Sequence, residues 1–271
     1  MTKRTALVTG AGGGLGHATV ERLLANGWKV FAADISKDLL RSSLHDPDVV
    51  PVVMDVTDRE SIRSAYDAVA SQTDRLDGIV NFAGIMGLGS LTDIPEERLA
   101  RILDVNVMGT YRVNKKFFPL VEAARGRIVN ISSETGWQSA APFNGPYAMS
   151  KHAIEAYSTA LRRELALLGV KVVTIQPGPF RTDMVEGIER AFTQAESETT
   201  RFARSGPSHR DCADGKTTET GLLGKGRPLA IVSRKIAASS GRPGVPDRPT
   251  TCEQGVSQPW PPTSSRSGPS P

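Results

Sequence analysis

A glycine-rich turn between a β-type run and a helical pattern constrains the fold of this chain more than any other feature. Residues 5–9 are a short run of apolar and β-favouring residues, and glycines follow at positions 10, 12, 13, 14 and 16. Helical periodicity begins directly after them. Glycines in such a turn let the backbone approach a diphosphate closely, at a helix N-terminus whose N–H groups and dipole attract anions. The turn therefore predicts a nucleotide-binding loop.

The spacing of these glycines narrows the kind of loop. The spacing Gly-x-Gly-x-x-Gly is not met, because it would need a glycine at Leu15 or His17. A Walker loop is excluded, since no Gly-Lys-Ser/Thr sequence follows. The spacing that fits is Thr-Gly-x-x-x-Gly-x-Gly, from Thr9 to Gly16.

Strand-like and helix-like segments alternate along the first 200 residues. Thr57 and Glu60 fit a capping box that opens one helix, and long helical stretches are predicted around 95–122 and 146–168. Nearly continuous apolar strands separated by helices are typical of a parallel sheet that is covered on both faces. We therefore predict an α/β fold, a doubly wound parallel sheet of the Rossmann type in one domain over residues 1–200, with its ligand at the carboxyl ends of the strands. The predicted strands after the first are residues 28–33, 49–54, 76–81, 127–132 and 170–176.

Two of the predicted strands end in a carboxylate. Asp34 follows the second strand, where it can accept hydrogen bonds from adenosine ribose hydroxyls or cap the next helix. A carboxylate at this position repels a 2′-phosphate, so NAD(H) is favoured over NADP(H). Asp55 follows the third strand, where it can bind the adenine amino group or cap a turn.

Tyr147 and Lys151 share one face of a predicted helix, one turn apart. A phenol has an ordinary pKa of about 10, and a nearby ammonium group favours its anion. The pair alone is compatible with a tyrosine that donates and accepts a proton, and equally with a half-buried tyrosine beside a solvated lysine.

Taken together, these residues resemble the short-chain dehydrogenase/reductase family, and the stretch from Tyr147 to Met184 is similar to members that act on retinoids, steroids and other lipophilic alcohols. The matching motifs occur in the order and spacing of the family over roughly residues 3–200. One departure is Phe82, where the family often has a second Asn. The motifs are Thr9-Gly10-x-x-x-Gly14-x-Gly16, Asn81-Phe82-Ala83-Gly84, Asn106, Ile131-Ser132-Ser133, Tyr147-x-x-x-Lys151, and Pro177-Gly178 followed by Thr182.

The resemblance implies hydride transfer between NAD(H) and a secondary alcohol or ketone. It implies that Tyr147 is the acid/base, that Ser133 rather than Ser132 places the substrate oxygen, that Lys151 lowers the phenol pKa and binds the nicotinamide ribose, and that Asn106 holds a water relay. A 3-oxoacyl thioester reductase of the same family and a non-catalytic NAD-binding protein are the alternatives. The resemblance assigns cofactor binding to Gly10, Gly14, Leu15, Gly16, Asp34, Asp55, Val56, Asn81, Ala83, Gly84, Tyr147, Lys151, Pro177, Gly178 and Thr182.

Composition excludes several other classes of protein. No stretch approaches the ~18 apolar residues that a membrane span needs, and the four histidines and two cysteines lack metal-ligand spacing. The first strand begins within a few residues of Met1, which leaves no room for a signal peptide. We expect a cytoplasmic protein with a small-molecule alcohol or carbonyl substrate, no metal and no nucleic-acid partner.

The composition changes sharply near residue 200. Residues 1–199 carry a net charge of −2 and residues 200–271 carry +6, while 29 of residues 201–271 are Gly, Pro or Ser. Such a segment has too few apolar residues for a packed domain. Three interpretations remain: a disordered extension, a nucleic-acid-binding tail, which the absence of a Lys/Arg cluster disfavours, or a reading-frame shift in a GC-rich gene. Because the family continues with a helix and a last strand that build the subunit interface, we expect a homo-oligomer only if that region is intact.

Overall fold

Six parallel strands form the centre of the fold in the computed structural model, which describes residues 3–40, 46–178, 188–199 and 201. Their order across the sheet is β3-β2-β1-β4-β5-β6. The chain thus proceeds from β1 to one edge of the sheet, and β4 then starts again beside β1 and proceeds to the other edge. This order confirms the predicted doubly wound sheet. The strands are β1 (Thr5–Thr9), β2 (Lys29–Asp34), β3 (Val49–Val53), β4 (Gly78–Asn81), β5 (Arg127–Ile131) and β6 (Lys171–Ile175).

Helices connect the strands in the described part of the chain. A 3₁₀ turn, Glu134–Gly136, lies between β5 and α6, and a π-helix, Asp104–Gly109, lies between α4 and α5. The predicted helix at 95–122 is therefore two helices with a π-helical segment between them. The α-helices are α1 (Gly14–Leu24), α2 (Lys37–Leu40), α3 (Arg59–Ala70), α4 (Glu96–Leu103), α5 (Thr110–Ala124), α6 (Gly145–Ala166) and α7 (Ile188–Ser197).

The core lies on both faces of the sheet because successive strand residues point to opposite sides. Leu7 and Ile79 face the side covered by α3 and α5, where Phe117 is fully buried. Val8 and Val80 face the opposite side, where α1 contributes Leu23. Burial on both faces explains why the strands are almost continuously apolar.

The capping box predicted from Thr57 and Glu60 at the start of α3 is wrong. Asp58, not Thr57, is the N-cap residue, and its side chain accepts a hydrogen bond from the N–H of Glu60 at 2.9 Å. The Thr57 hydroxyl instead donates to Asp55 at 2.7 Å. The helix therefore begins one residue later than predicted, after Asp58.

Candidate functional site

A cavity of about 500 Å³ lies along the carboxyl ends of the strands and is lined by segments that follow all six of them. This is the edge at which doubly wound sheets bind their ligands. Among the residues predicted from sequence, Asn81 and Asn106 do not line the cavity, and Thr182 lies outside the described residues. The predicted residues that do line it are Gly10, Gly14, Leu15, Gly16, Asp34, Asp55, Val56, Ala83, Gly84, Ser133, Tyr147, Lys151, Pro177 and Gly178.

The glycine loop is shaped by two close backbone contacts. Gly10 has a φ of 64°, and a Cβ built on it would lie 2.8 Å from the amide nitrogen of Ala83. A Cβ on Gly16 would overlap the carbonyl oxygen of Gly10. Since only glycine fits these positions, the loop folds tightly onto the start of α1 and leaves a cradle of backbone N–H groups. This cradle fits a dinucleotide diphosphate.

Two carboxylates lie at the β2–β3 end of the cavity. Asp34 accepts hydrogen bonds from the N–H groups of Gly12 at 3.0 Å and Ile35 at 2.8 Å, which ties the glycine loop to β2. The hydroxyl of Ser36, not the Asp34 carboxylate, accepts from the first turn of α2, from the N–H of Asp38. Asp34 therefore does not act as the helix cap that its position allowed.

Asp55 caps a turn, as one of its two predicted roles required. It accepts from the backbone N–H of Thr57 at 2.8 Å and from the Thr57 hydroxyl. Partial burial, the largest single cause, acts to raise the pKa of Asp55. The bonds from Thr57 and the nearby guanidinium groups of Arg101 and Arg112 together outweigh it, so the pKa lies below its ordinary value. Asp55 also lines the cavity.

Tyr147, Ser133 and Lys151 converge at the β5–β6 end of the cavity. Tyr147 and Lys151 lie on α6 and are only 8% and 7% exposed. The Lys151 Nζ lies 5.4 Å from the centre of the Tyr147 ring and donates a hydrogen bond to the carbonyl of Ile131 at 3.0 Å. The Ser133 hydroxyl lies close enough to that of Tyr147 to lower the pKa of the phenol. A phenol, a hydroxyl and an amine thus surround one point of the cavity.

Burial dominates the protonation of this group. It raises the pKa of the Tyr147 phenol, and the hydrogen bond with Ser133 lowers that pKa only in part. The net direction is opposite to the lowering by Lys151 that we expected from sequence. Burial also lowers the pKa of Lys151 from 10.5 to about 8. Each shift favours the neutral form of its group, as a water-poor environment requires.

The two adjacent serines differ in their partners. Ser132 also lines the cavity, but its hydroxyl donates to the backbone carbonyl of Lys151 at 3.4 Å. Ser133 accepts from the N–H of Thr135 and contacts Tyr147. Ser133 is therefore the serine at the phenol, as the resemblance to the family implies.

Asn106 and Asn81 lie behind the cavity wall. Asn106, 2% exposed, sits in the π-helix and bonds both backbone groups of Ile85 and, at 3.0 Å, the Ser150 hydroxyl. Asn81 donates to the side chains of Asn114 at 2.8 Å and Asn130 at 2.9 Å. Asn106 thus ties the loop after β4 to α6, and Asn81 ties the end of β4 to α5 and β5.

The comparisons with known proteins agree with this geometry. The profile of the family described as short chain dehydrogenase matches residues 4–192. The chain belongs to the short chain dehydrogenase family. It is 40% identical over 187 residues to retinol dehydrogenase 16 of Rattus norvegicus, covering 67% of this chain and 58% of that protein. The chain thus spans about three fifths of the length of this relative.

Two solved structures are similar to this one. An actinorhodin polyketide ketoreductase with NADPH has a TM-score of 0.72 and 27% identity, covering 86% of this chain and 90% of that one. A 3-ketoacyl-(acyl-carrier-protein) reductase from Brucella melitensis complexed with NADH has a TM-score of 0.64 and 25% identity, covering 68% of this chain and 78% of that one.

Within the described residues, no helix is both long and apolar enough to cross a membrane, and no cluster of three metal-ligating side chains occurs.

Sequence motifs of the short chain dehydrogenase family do not reveal every residue of the site. Glu134 and Asn144 line the cavity close to Ser133 and Tyr147 but belong to none of the motifs that we matched. Phe192 lines it from α7, and Arg101 lines it from α4. For Glu134, a signal was available, because it lies one position after the serine that follows β5.

Gly16→Ala is expected to prevent dinucleotide binding and to destabilise the fold by a few kcal/mol, about as much as overpacking does elsewhere. The new methyl group would overlap the carbonyl of Gly10, so the loop must open. Gly13→Ala is the matched control, because the nearest atom to its Cβ is 3.6 Å away. Calorimetric NAD⁺ binding and thermal melting measure both effects; equal affinities in the two variants would contradict the account of the loop.

Proposed function

We propose that this protein transfers a hydride between NAD(H) and the carbinol or carbonyl carbon of a lipophilic secondary alcohol or ketone. The observation that carries the proposal is the meeting of Tyr147, Ser133 and Lys151 at one end of a cavity whose other end holds the glycine loop and Asp34. Family membership and the likeness to a retinol dehydrogenase support the reaction class and the substrate class. The apolar residues Ile85, Met86, Leu88, Ile131 and Phe192 line the same cavity.

The residues present fit a nicotinamide dinucleotide. The glycine loop would hold the diphosphate, Asp34 the adenosine ribose, Asp55 and Val56 the adenine, and Lys151 the nicotinamide ribose. The bound nicotinamide supplies the hydride acceptor or donor. The remaining residues assigned to this group are Ala83 and Gly84 beside the glycine loop, Asn81 behind them, Pro177 and Gly178 at the end of β6, and Thr182.

The proton is handled by residues of the chain itself. Tyr147 would take the proton of the alcohol hydroxyl during oxidation and return it during reduction. The Ser133 hydroxyl, which lies near that of Tyr147, would hold the substrate oxygen at the phenol. The Lys151 ammonium favours the phenolate, but its own pKa of about 8 restricts that help to pH values below about 8. Asn106 would position Lys151 indirectly, through Ser150 on the same helix.

Asp34→Asn is expected to raise the ratio of kcat/KM with NADP⁺ to that with NAD⁺ at least about tenfold, because the substitution removes the charge that repels a 2′-phosphate. Asparagine retains one oxygen, which can keep the bond from the N–H of Gly12 that ties the loop to β2, while the bond from Ile35 is lost. Asp67→Asn, on the exposed face of α3, makes the same charge change outside the cavity and serves as the control. An unchanged ratio in Asp34→Asn would remove the basis for proposing NAD(H).

The proposed function is tested by NADH formation from NAD⁺ with a panel of lipophilic secondary alcohols. The alternative is a 3-oxoacyl thioester reductase, favoured by the likeness to a 3-ketoacyl reductase and a polyketide ketoreductase. Oxidation of 3-oxoacyl reduction products alone, with NADP⁺ preferred, would support that alternative. Cofactor binding without turnover of any substrate would support a non-catalytic dinucleotide-binding protein.

A further inference from the structure

Glu134 is a charged residue of the cavity to which the proposed mechanism gives no task. It begins the 3₁₀ turn directly after Ser133, is half-buried and lines the cavity. Its backbone N–H donates to the carbonyl of Pro177 at 3.2 Å. Its carboxyl carbon lies 3.1 Å from the point that a Cβ on Gly178 would occupy. The absence of a side chain at Gly178 therefore makes room for this carboxylate at the β5–β6 end.

The Glu134 carboxylate has no hydrogen-bond donor and no cation paired with it among the described residues. The carboxylates at the other end differ in this respect, because Asp34 accepts from two N–H groups and Asp55 from Thr57. The other charged residue lining the cavity at this end is Lys151, and its Nζ donates to the carbonyl of Ile131. The negative charge of Glu134 is thus left for whatever lies beside Ser133.

An uncompensated carboxylate discriminates between substrates by charge. A second anion within about 5 Å is disfavoured, more strongly in a half-buried cavity than in water. A hydroxyl or ammonium group can instead donate a hydrogen bond to the carboxylate, which is stronger than a bond between neutral groups. Both effects act on the part of the substrate next to the oxygen that Ser133 would hold.

We propose that Glu134 is a specificity-determining residue, which repels anionic substituents near the reacting carbon and accepts a hydrogen bond from a hydroxyl or ammonium group there. The inference rests on the proposed function, since it assumes that the substrate oxygen lies at Ser133 and Tyr147. It adds that the substrate is a neutral or cationic alcohol with a donor group close to its carbinol carbon.

The test compares kcat/KM for three alcohols that share the group CH₃–CH(OH)–CH₂– and differ in charge: 3-hydroxybutyrate, 1,3-butanediol and 4-amino-2-butanol. The wild-type protein is expected to use the anion at least about tenfold less well than the diol. Glu134→Gln, which keeps size and shape, should raise the ratio of anion to diol at least about tenfold and lower the ratio of amine to diol. Glu122→Gln, exposed on α5 outside the cavity, is the charge-matched control and should leave both ratios unchanged. Unchanged ratios in Glu134→Gln would overturn the proposal.

A binding measurement separates this proposal from the proposed function. Titration calorimetry compares butyrate with butyramide, which differ in charge and are not oxidised as alcohols, with and without NAD⁺. A gain of at least about tenfold in butyrate affinity relative to butyramide in Glu134→Gln supports the role of Glu134 even if no alcohol is turned over. Equal relative affinities in wild type and variant overturn it whether or not the protein is an enzyme, and equal melting temperatures of the two proteins show that the fold is intact.

Discussion

Tyr147→Phe is expected to lower kcat/KM for alcohol oxidation by about 10³-fold, within the range that general acid–base catalysis contributes. The substitution deletes only the hydroxyl that contacts Ser133, while the ring remains buried against Lys151. NAD⁺ affinity should stay within about twofold of wild type, since the phenol handles the proton rather than the diphosphate. Steady-state kinetics and calorimetric binding measure the two quantities separately.

Tyr111→Phe is the matched control for this variant. Tyr111 is partly exposed, bonds Lys115 and lies outside the cavity, so loss of its hydroxyl should leave activity unchanged.

Because burial raises the pKa of Tyr147, oxidation by the wild type should speed up as the pH rises toward the phenol pKa. Retention of more than about a tenth of the activity by Tyr147→Phe would show that another group takes the proton.

Lys151→Met is expected to lower activity by at least about 10²-fold and at the same time to stabilise the fold at pH 7. The ammonium group is buried, and its side chain bonds only the carbonyl of Ile131 among the described residues. Its folded-state pKa of about 8, against 10.5 unfolded, corresponds to roughly 3 kcal/mol of destabilisation below pH 8. A methionine of similar length avoids that cost and keeps the packing.

The lowered pKa of Lys151 also determines how the free energy of unfolding changes with pH. Between pH 8 and 10.5 the unfolded chain holds a proton on Lys151 that the folded protein lacks, so the free energy of unfolding of the wild type rises with pH. Chemical denaturation at pH 7, 8, 9 and 10 should show this rise in wild type and in the exposed control Lys115→Met, and a smaller rise in Lys151→Met. Measurements stop at pH 10, because the raised pKa of Tyr147 acts in the opposite direction above it. Parallel curves for all three proteins would contradict the assigned burial of the charge.

Most of the fold was predictable because its signals are local. The glycine spacing from Thr9 to Gly16 works through backbone conformation, and the structure places those glycines where a side chain would collide with Gly10 or Ala83. The apolar strands predict the sheet, since strands buried on both faces carry few polar residues. The order and spacing of the family motifs then placed Ser133 and Tyr147 at one end of the cavity.

The remaining features depend on neighbours that the sequence brings together only in three dimensions. The pKa of Tyr147 follows burial by several elements, which the four-residue spacing to Lys151 does not reveal. The N-cap of α3 is Asp58 rather than Thr57, whose hydroxyl bonds Asp55 across a turn. The contact of Glu134 with Gly178 forms only once β5 and β6 pair. The predicted tail, residues 201–271, lies outside the described residues apart from Arg201.

The central claim is that the cavity moves a hydride from an alcohol carbon to NAD⁺ while Tyr147 takes the proton. The most direct measurement uses a lipophilic secondary alcohol deuterated at the carbinol carbon and follows the label into the reduced cofactor by mass spectrometry. The account predicts deuterium in the nicotinamide ring with wild type. In Tyr147→Phe the amount of labelled cofactor should fall by the same factor as the activity. Tight NAD⁺ binding with no labelled cofactor from any alcohol in the panel would contradict it.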